Sequence, residues 1–566
     1  MGTDSSAFSR RSFLGATLMG AGAVVGGPAL LAACGGGGGG TGQKSGANDL
    51  KNVLPKFAEA SGGPKPDIES VTGTANASTD PVYFKYPTDM AATVSAVPGK
   101  GGSYTAITPL WGSIPPADNA YYQAVNKALG ADVKMQPADG NNYATTIPTL
   151  VAGNKLPDWL QIPTWWNPNL NVGELAASRF ADLTPYLSGD KISKYPNLAA
   201  IPTGGWQAGA WQNKLYGIPS YSSDSNFAGT IFYRADLLDA KGFKKDQVKS
   251  ADDLLALGKE LTAASSNVWA FDVLWLMIQQ IFKVPQTGNA VTVKDGKVIS
   301  AFDTPELEAA LEFAYKLAKS GYVHPDGLAG KDADGNTRFY GGKVLISAGG
   351  TGAWNLQDSV DGRAANPNYR RGALALFSND GSDPTIALGS SSSIVSYLNK
   401  KLTKDQIDEC LAIANYLAAP YGSKEYTLVK YGVEGTHWTM EAGGPALTTQ
   451  GTKESAFDTY QFLAWSRNAV SNPGRDDISK DLHEWAVDAV KHAYKPPFWN
   501  FNVSTPTRFS SISTGTAVND VIKQVSFGKQ TVADFKTAAA NWKKSGGQTL
   551  VDWYQKEVVD KYGTGQ

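Results

Sequence analysis

Between Ser103 and Pro137 the chain changes its hydrophobic period twice. "SYTAITPLW" reads as a strand. "ADNAYYQAVNKALG" sets Tyr121, Val125 and Leu129 at fourfold spacing and stops at Gly130, the pattern of a helix with one apolar face. "DVKMQP" reads as the next strand. A helix-bearing connection of this length returns a strand parallel to the first and lays the helix over the sheet. The stretch commits the chain to the α/β class.

The same grammar continues downstream. In "DTPELEAALEFAYKLAKSG", Thr304 is placed as an N-cap, Pro305 opens the helix, Leu307, Leu311, Ala314 and Leu317 form its stripe, and Gly321 ends it. "TKDQIDECLAIANYLAAP" offers a capping box at Thr403 and Gln406. Ile407, Cys410, Leu411 and Ala414 share that helix's apolar face, which reads Cys410 as a packed core thiol. "VTVKDGKVIS" is a hairpin turning at Asp295-Gly296. With 566 residues the chain is long for one domain, and length alone suggests roughly two to four. No internal repeat or heptad pattern is visible.

The N-terminus follows another logic. "SRRSFLG" places Arg10 and Arg11 before a stretch, Phe13 to Ala33, without a charged residue, and that stretch closes on "LAAC". A basic start, an apolar middle and small residues at the end are the order of an export signal. The paired arginines resemble a twin-arginine signal, and "LAAC" resembles a lipobox with Cys34 as the lipidated residue. The segment is long enough to span a bilayer, but Gly15, Gly20, Gly22, Gly26, Gly27 and Pro28 make it a poor permanent helix. Residues 1–33 are read as a cleaved signal. Residues 34–102, rich in Gly, Ser, Thr, Ala and Pro, are read as the lipidated cysteine and a flexible tether, in which "VYFKYP" (Val82 to Pro87) is an ordered exception. As a coil of roughly 65 residues it would reach about 45 Å. A thioether lipid with an N-acyl group supplies the multiple chains that stable anchoring needs.

Composition removes several functions. The net charge of −1 gives no electrostatic case for nucleic acid. Two cysteines build no disulfide framework and four histidines no His-rich metal site. "KDADGNTRF" (Lys331 to Phe339) alternates Asp332, Asp334 and Asn336 like a calcium loop, but Gly335 comes one position early and Lys343 stands where a bidentate Glu is needed, so a polar surface loop is the better reading. There is no G-x-S-x-G, H-E-x-x-H or P-loop. "GSSSS" (Gly389 to Ser393) lacks the second glycine of a nucleophile elbow. No cofactor or metal is expected.

Several phrases, in this order, resemble the extracellular solute-binding proteins of bacterial ABC importers. They are "NKLPDWLQI" (Asn154 to Ile162), "FADLTPYL" (Phe180 to Leu187), "WQNKLYGIPS" with "IFYRADLLDAKGF", "LEFAYKLAKSGYVHPD", "FYGGKVLIS", "YGVEGTHW" (Tyr431 to Trp438) and "FGKQTVADFKTAAANWKKSGG". They are most similar to the large lipoprotein branch associated with oligosaccharide and aldouronate uptake. The match runs from about Ser103 to Tyr562; "QNK" (Gln212 to Lys214) departs from the family's Asp-Gly-Lys in one turn. The resemblance implies a periplasmic-binding-protein-like fold, with two doubly wound α/β lobes, a hinge of several chain crossings, and a ligand cleft between the lobes. Lobe one is expected to comprise residues 103–225 and about 390–500, and lobe two residues 226–389 and 501–566. Crossings are expected near Tyr221 to Thr230, Thr385 to Ser396 and Trp499 to Thr507. The implied function is capture of a carbohydrate, an oligosaccharide in particular, by a monomeric, non-enzymatic lipoprotein. It would be tethered through Cys34 on the outer face of the membrane and would deliver ligand to ABC permease transmembrane subunits. A lipid-anchored carbohydrate-active enzyme, or a binder of peptide or another polar solute, remain the alternatives.

Sugars present apolar C–H faces and a rim of hydroxyls, so a cleft for them needs flat aromatic platforms beside fixed donors and acceptors. Trp111 ends the first strand, where a parallel sheet presents ligand-binding loops. Trp165 and Trp166 follow the strand after Leu-Pro-Asp; one of the pair is expected to face the core, and Trp166 is the candidate. Tyr221 and Asp224 sit at the first crossing, although Asp224 equally suits a turn cap. Trp354 follows "VLIS" through glycines and is either a platform, as in similar proteins, or the cover of a helix start. "EGTHW" offers His437 and Trp438, with Glu434 as a turn residue. Trp499 lies at the third crossing. Trp206, Trp211, Trp269 and Trp275 are weaker, and Trp275 is read as core.

Overall fold

Two sheets carry the molecule, and the chain visits each more than once. The computed structural model describes residues 50–564 apart from 51, 141, 287–289, 332–334, 355–360, 365 and 442. The export signal, Cys34, the glycine run and Asp332 to Asp334 of the calcium-like loop lie outside the described residues. In chain order the strands of these two sheets are β1 (Ser103–Leu110), β2 (Asp132–Asp139), β3 (Trp159–Pro163), β4 (Gly217–Ser222), β5 (Thr230–Arg234), β6 (Trp269–Phe271), β7 (Val344–Gly349), β8 (Arg371–Ala373) and β9 (Ser392–Leu398). The first sheet has the order β2-β1-β3-β9-β4 and the second β8-β5-β7-β6. β1, β2 and β3 are parallel, as the opening strand–helix–strand unit demands. β9 comes back from the second lobe and enters antiparallel between β3 and β4, with Ile394 opposite Pro163 and Ser392 opposite Ser222. In the second sheet β5 runs against β7 and β8, while β6 is parallel to β7.

The helices form where period and caps coincide. In α1 (Ala120–Leu129) the Asn119 side chain accepts the Tyr122 N–H, Gly130 ends the helix in the left-handed region, and Tyr121, Val125 and Leu129 are buried against the first sheet. α2 (Trp275–Ile281) follows β6. α3 (Pro305–Lys319) buries Leu307, Leu311, Ala314 and Leu317 in the second lobe. α4 (Lys404–Leu417) has its capping box at Thr403 and Gln406, with Ile407, Cys410, Leu411 and Ala414 in the first lobe's core. Each such fully buried aliphatic side chain contributes about 1.5–3 kcal/mol relative to exposure. Helices late in the chain, α5 (Asp476–Lys491), α6 (Thr516–Ser526) and α7 (Val532–Trp542), cover the second lobe.

Two expectations are corrected. The first concerns the boundary at residue 500. Trp465 is in the first lobe's core, but α5 buries Ile478, Trp485 and Ala489 with Phe227, Phe232 and Trp354 of the second. The chain therefore changes lobe between Ser466 and Ile478. Near Trp499 to Ser504 it only touches lobe one again: the Asn502 side chain donates to the Ala208 and Ala210 carbonyls, while Phe501 is in the second lobe's core. The second concerns the tether. From residue 50 to 102 the chain is fastened to the body. Leu50, Val53 and Leu54 join the first core, Ala77 joins a second-lobe cluster, and Val82–Tyr83 pair in parallel with Val470–Ser471. Glu425 accepts the Thr93 and Val94 N–H groups, and Glu409 those of Lys100 and Gly102. This segment is held by scattered single contacts instead of by an element, so it carries no period to read.

Candidate functional site

All strands of the first sheet that run from the chain's first pass, β1, β2, β3 and β4, finish at the end where β4 passes into β5 through residues 223–229. This hinge end is where an open α/β sheet presents its loops to a ligand. Trp111 leaves β1 there, Thr164–Trp166 form a helical turn after β3, and Tyr221 lies at the end of β4. Their rings meet. Trp111 lies with ring centroids 6.0 Å from Trp165 and 6.3 Å from Trp166, and Trp165 lies 5.8 Å from Trp166. Phe462 stands edge-on to Trp111 at 6.2 Å and to Tyr221 at 5.8 Å. Trp165, Trp166 and Tyr221 are half-buried, and Trp111 forms the buried base. Trp166 is also stacked on Tyr143, which ties it to the first lobe's core.

Sequence reading missed the other wall. Residues 455–462 lie in the chain's second pass through lobe one and bring Phe457, Asp458 and Phe462 to the cluster. The Phe457 ring lies so close to Gly112 that a Cβ there would fall 2.1 Å from it. The Tyr221 hydroxyl donates to Asp458, which also receives the Lys430 ammonium at 2.9 Å. Burial opposes the charge on Lys430, yet the Asp458 carboxylate outweighs it and holds the ammonium above its ordinary range. Burial, reinforced by Asp458, pushes the Tyr221 hydroxyl well up, so it stays a donor throughout the physiological range. The arrangement is an apolar shelf with a fixed hydroxyl, carboxylate and ammonium along one side. Nothing local in "SAFDTYQF" announces it; only the tertiary fold brings it to Trp111.

The second lobe adds a cavity of about 150 Å³ beside the hinge. Its wall includes Ala228 and Gly389 of the first two crossings, Gln280 of α2, and Lys283, Thr385 and Tyr494. Trp499 stands at this wall: its indole N–H donates to the Gly389 carbonyl at 2.8 Å, and the Lys495 ammonium lies 4.6 Å from its ring centre. Trp275, read as core, is half-buried at the start of α2, at the hinge end of β6.

The remaining candidates lie elsewhere. Trp354 is 3% exposed, edge-on to Phe232 at 4.7 Å and beside Trp485 at 5.4 Å, inside the second lobe. The turn Thr351–Trp354 after β7 leaves the indole buried in a cluster with Phe227, Phe232 and Trp485. His437 and Trp438 are buried in lobe one: His437 Nδ1 accepts the Val433 N–H, its Nε2 bonds Glu454 at 3.2 Å, and the Trp438 indole donates to Gly432. They staple the Gly-x-Glu-Gly loop. Asp224 is at the first crossing, 4.0 Å from Arg467, and burial raises its carboxyl above the ordinary range. The structure thus joins Trp111, Trp166 and Tyr221 into one surface, sets Trp499 by the cavity and Asp224 in the hinge, and removes Trp354, His437 and Trp438.

Comparison with known proteins agrees with this architecture. Lipoprotein LipO of Bacillus subtilis strain 168 is 21% identical over 500 residues, covering 81% of this chain and 93% of its own. An HMO-binding, ABC-transporter-associated solute-binding protein from Bifidobacterium longum infantis superposes with a TM-score of 0.59 at 16% identity, over 81% of this chain and 98% of that one. An N-glycan transport solute-binding protein from Streptococcus pneumoniae does so with a TM-score of 0.58 at 14% identity, over 82% and 100%. A family model for bacterial extracellular solute-binding proteins matches residues 120–433, more than half of the chain. With its two sheets, its returning strand β9 and its hinge-end aromatic shelf, the chain belongs to the bacterial extracellular solute-binding protein family.

Proposed function

We propose that this protein captures a carbohydrate, an oligosaccharide in particular, between its lobes and delivers it unchanged to the transmembrane subunits of an ABC permease, held at the outer membrane face by lipid on Cys34. The observation that carries the reading is the shelf of Trp111, Trp165, Trp166 and Tyr221 with the Tyr221–Asp458–Lys430 network along its side. Flat rings take the C–H face of a sugar, and the network supplies an acceptor and a donor for its hydroxyls. The hinge cavity, at about 150 Å³, is below the roughly 300–1,000 Å³ of sites that enclose a drug-sized ligand. A ligand longer than one ring would therefore occupy the open cleft, with lobe closure completing its contacts. The HMO-binding and N-glycan transport proteins with the same fold support this choice of ligand class.

A thermal-stabilisation screen against sugars and oligosaccharides identifies the ligand, since a molecule that binds only the folded state raises its stability. Calorimetry on that ligand should then show Trp165→Ala weakening affinity about tenfold or more, a loss of roughly 1.4 kcal/mol or above. Chromatography should recover the sugar intact. A shortened product, lost on replacing a carboxylate, would move the protein to the enzymes; stabilisation by peptides alone would move the ligand class.

A further inference from the structure

Residues 67–83 join the lobes to one another. Before them, the Ala58 N–H donates to the Ala199 carbonyl of lobe one. Within them, Ala77 is buried with Phe227 and Trp485 of lobe two, and the Thr74 hydroxyl reaches the Ala493 carbonyl at 2.7 Å. After them, the Tyr86 and Thr427 hydroxyls share a hydrogen bond back in lobe one. Between these attachments lies the hinge. There the Ser223 hydroxyl donates to Asp80 at 2.9 Å, and the Arg467 guanidinium donates to the Thr79 carbonyl at 3.2 Å. Ser223 belongs to the first crossing, and Arg467 to the stretch that leaves lobe one after Trp465 and bridges to Ser222. Three separate segments therefore meet at Asp80.

We propose that residues 67–83 are a working part of the hinge, a clasp closed through Asp80 that limits how far the lobes open. The charges around Asp80 give the clasp a sense of pH. Arg467 attracts its carboxylate and Asp224 repels it. One step further out, Asp67 and Glu69 of the same segment act on Tyr83, and Lys495 acts on Asp224. Protein crowds Asp80 on most sides while water still reaches an edge. That burial pushes its carboxyl up to about 7, against Arg467 and the Ser223 hydrogen bond. Because the raised value belongs to the closed clasp, protonation favours closure. The clasp is strongest below the ordinary carboxylate range and weakens as pH rises through about 7. The inference rests on the lobes moving about this hinge. Its test uses no ligand, so its failure is separate from a failure of the carbohydrate reading.

The test is a spin-label distance between Lys127→Cys on α1 and Lys259→Cys on the lobe-two helix Ala251–Leu261, both exposed sites. The full chain would carry Cys34→Ser, and Cys410 is buried. Titrated from about pH 4 to about 8.5, the parent should shift toward longer distances as pH rises, with its midpoint below 7 and no further change above it. Asp80→Asn should keep the parent's low-pH distribution throughout. Gly73→Ala should broaden the distances at every pH, because a Cβ there would fall 2.1 Å from the Val490 carbonyl oxygen and lift the segment off lobe two. A parent distribution unmoved by pH, an Asp80→Asn shift with the parent's midpoint, or a Gly73→Ala distribution equal to the parent's would each overturn the clasp.

Discussion

Two indoles show how differently one residue type is used here. Trp165 is half-buried at the hinge end of the first sheet, and its ring neighbours are Trp111 and Trp166 of the shelf. Trp354 is wedged between Phe232 and Trp485. Trp354→Ala is therefore expected to cost about 3–5 kcal/mol of stability by urea unfolding, the range for emptying a buried aromatic site, while ligand affinity of the folded fraction stays at the parent's. The same contrast explains what could be read beforehand. That Trp111, Trp166 and Tyr221 meet at one end of the sheet was legible because strand ends and crossings can be placed in the sequence. Which way Trp354 turns after its strand is decided by the turn Thr351–Trp354 and by a helix more than a hundred residues later. Phe457, Asp458 and Lys430 had no local signal, since their role comes from a second pass of the chain through lobe one.

Among elements, α4 is the most explicit in sequence: its capping box, apolar face and buried Cys410 are as its spacing implies. Its exposed side also carries a testable charge. Asp408 takes the Lys404 ammonium at 2.7 Å and the Lys194 ammonium at 2.9 Å, which together draw its carboxyl down to about 2. A carboxyl lowered on folding stabilises above its unfolded value and loses that contribution as pH falls through the folded one. Asp408→Asn should thus lower stability by roughly 1 kcal/mol near neutral pH, after solvent screening of the two exposed lysines, with the difference vanishing between about pH 4 and pH 2 in acid-unfolding curves. Helices such as α1, α3 and α4 were readable because a 3.6-residue period and a cap are local facts. Residues 52–102 were not. Their order comes from Glu409 and Glu425 accepting backbone N–H groups across more than three hundred positions.

For the whole molecule, the α/β class followed from patterns repeated along the chain and the two lobes from the resemblance to a known family, whereas the lobe change between Ser466 and Ile478 followed from neither, because one side of it is a loop without period. At this scale belongs the proposed membrane attachment. Cys34→Ser should move the protein from the membrane fraction to the medium without altering ligand affinity, as fractionation and calorimetry would read. The packed course of residues 52–102 then takes on a meaning for encounter. Were everything from Gly35 to Gly102 slack, an anchored body could range up to roughly 240 Å from its lipid. With the chain fixed to the body from Leu50 onward, the fifteen residues 35–49 allow at most about 50 Å. On the proposed anchoring, meeting a permease in the same bilayer would be a search through a thin shell of volume, with the effective concentration that so short a connection imposes.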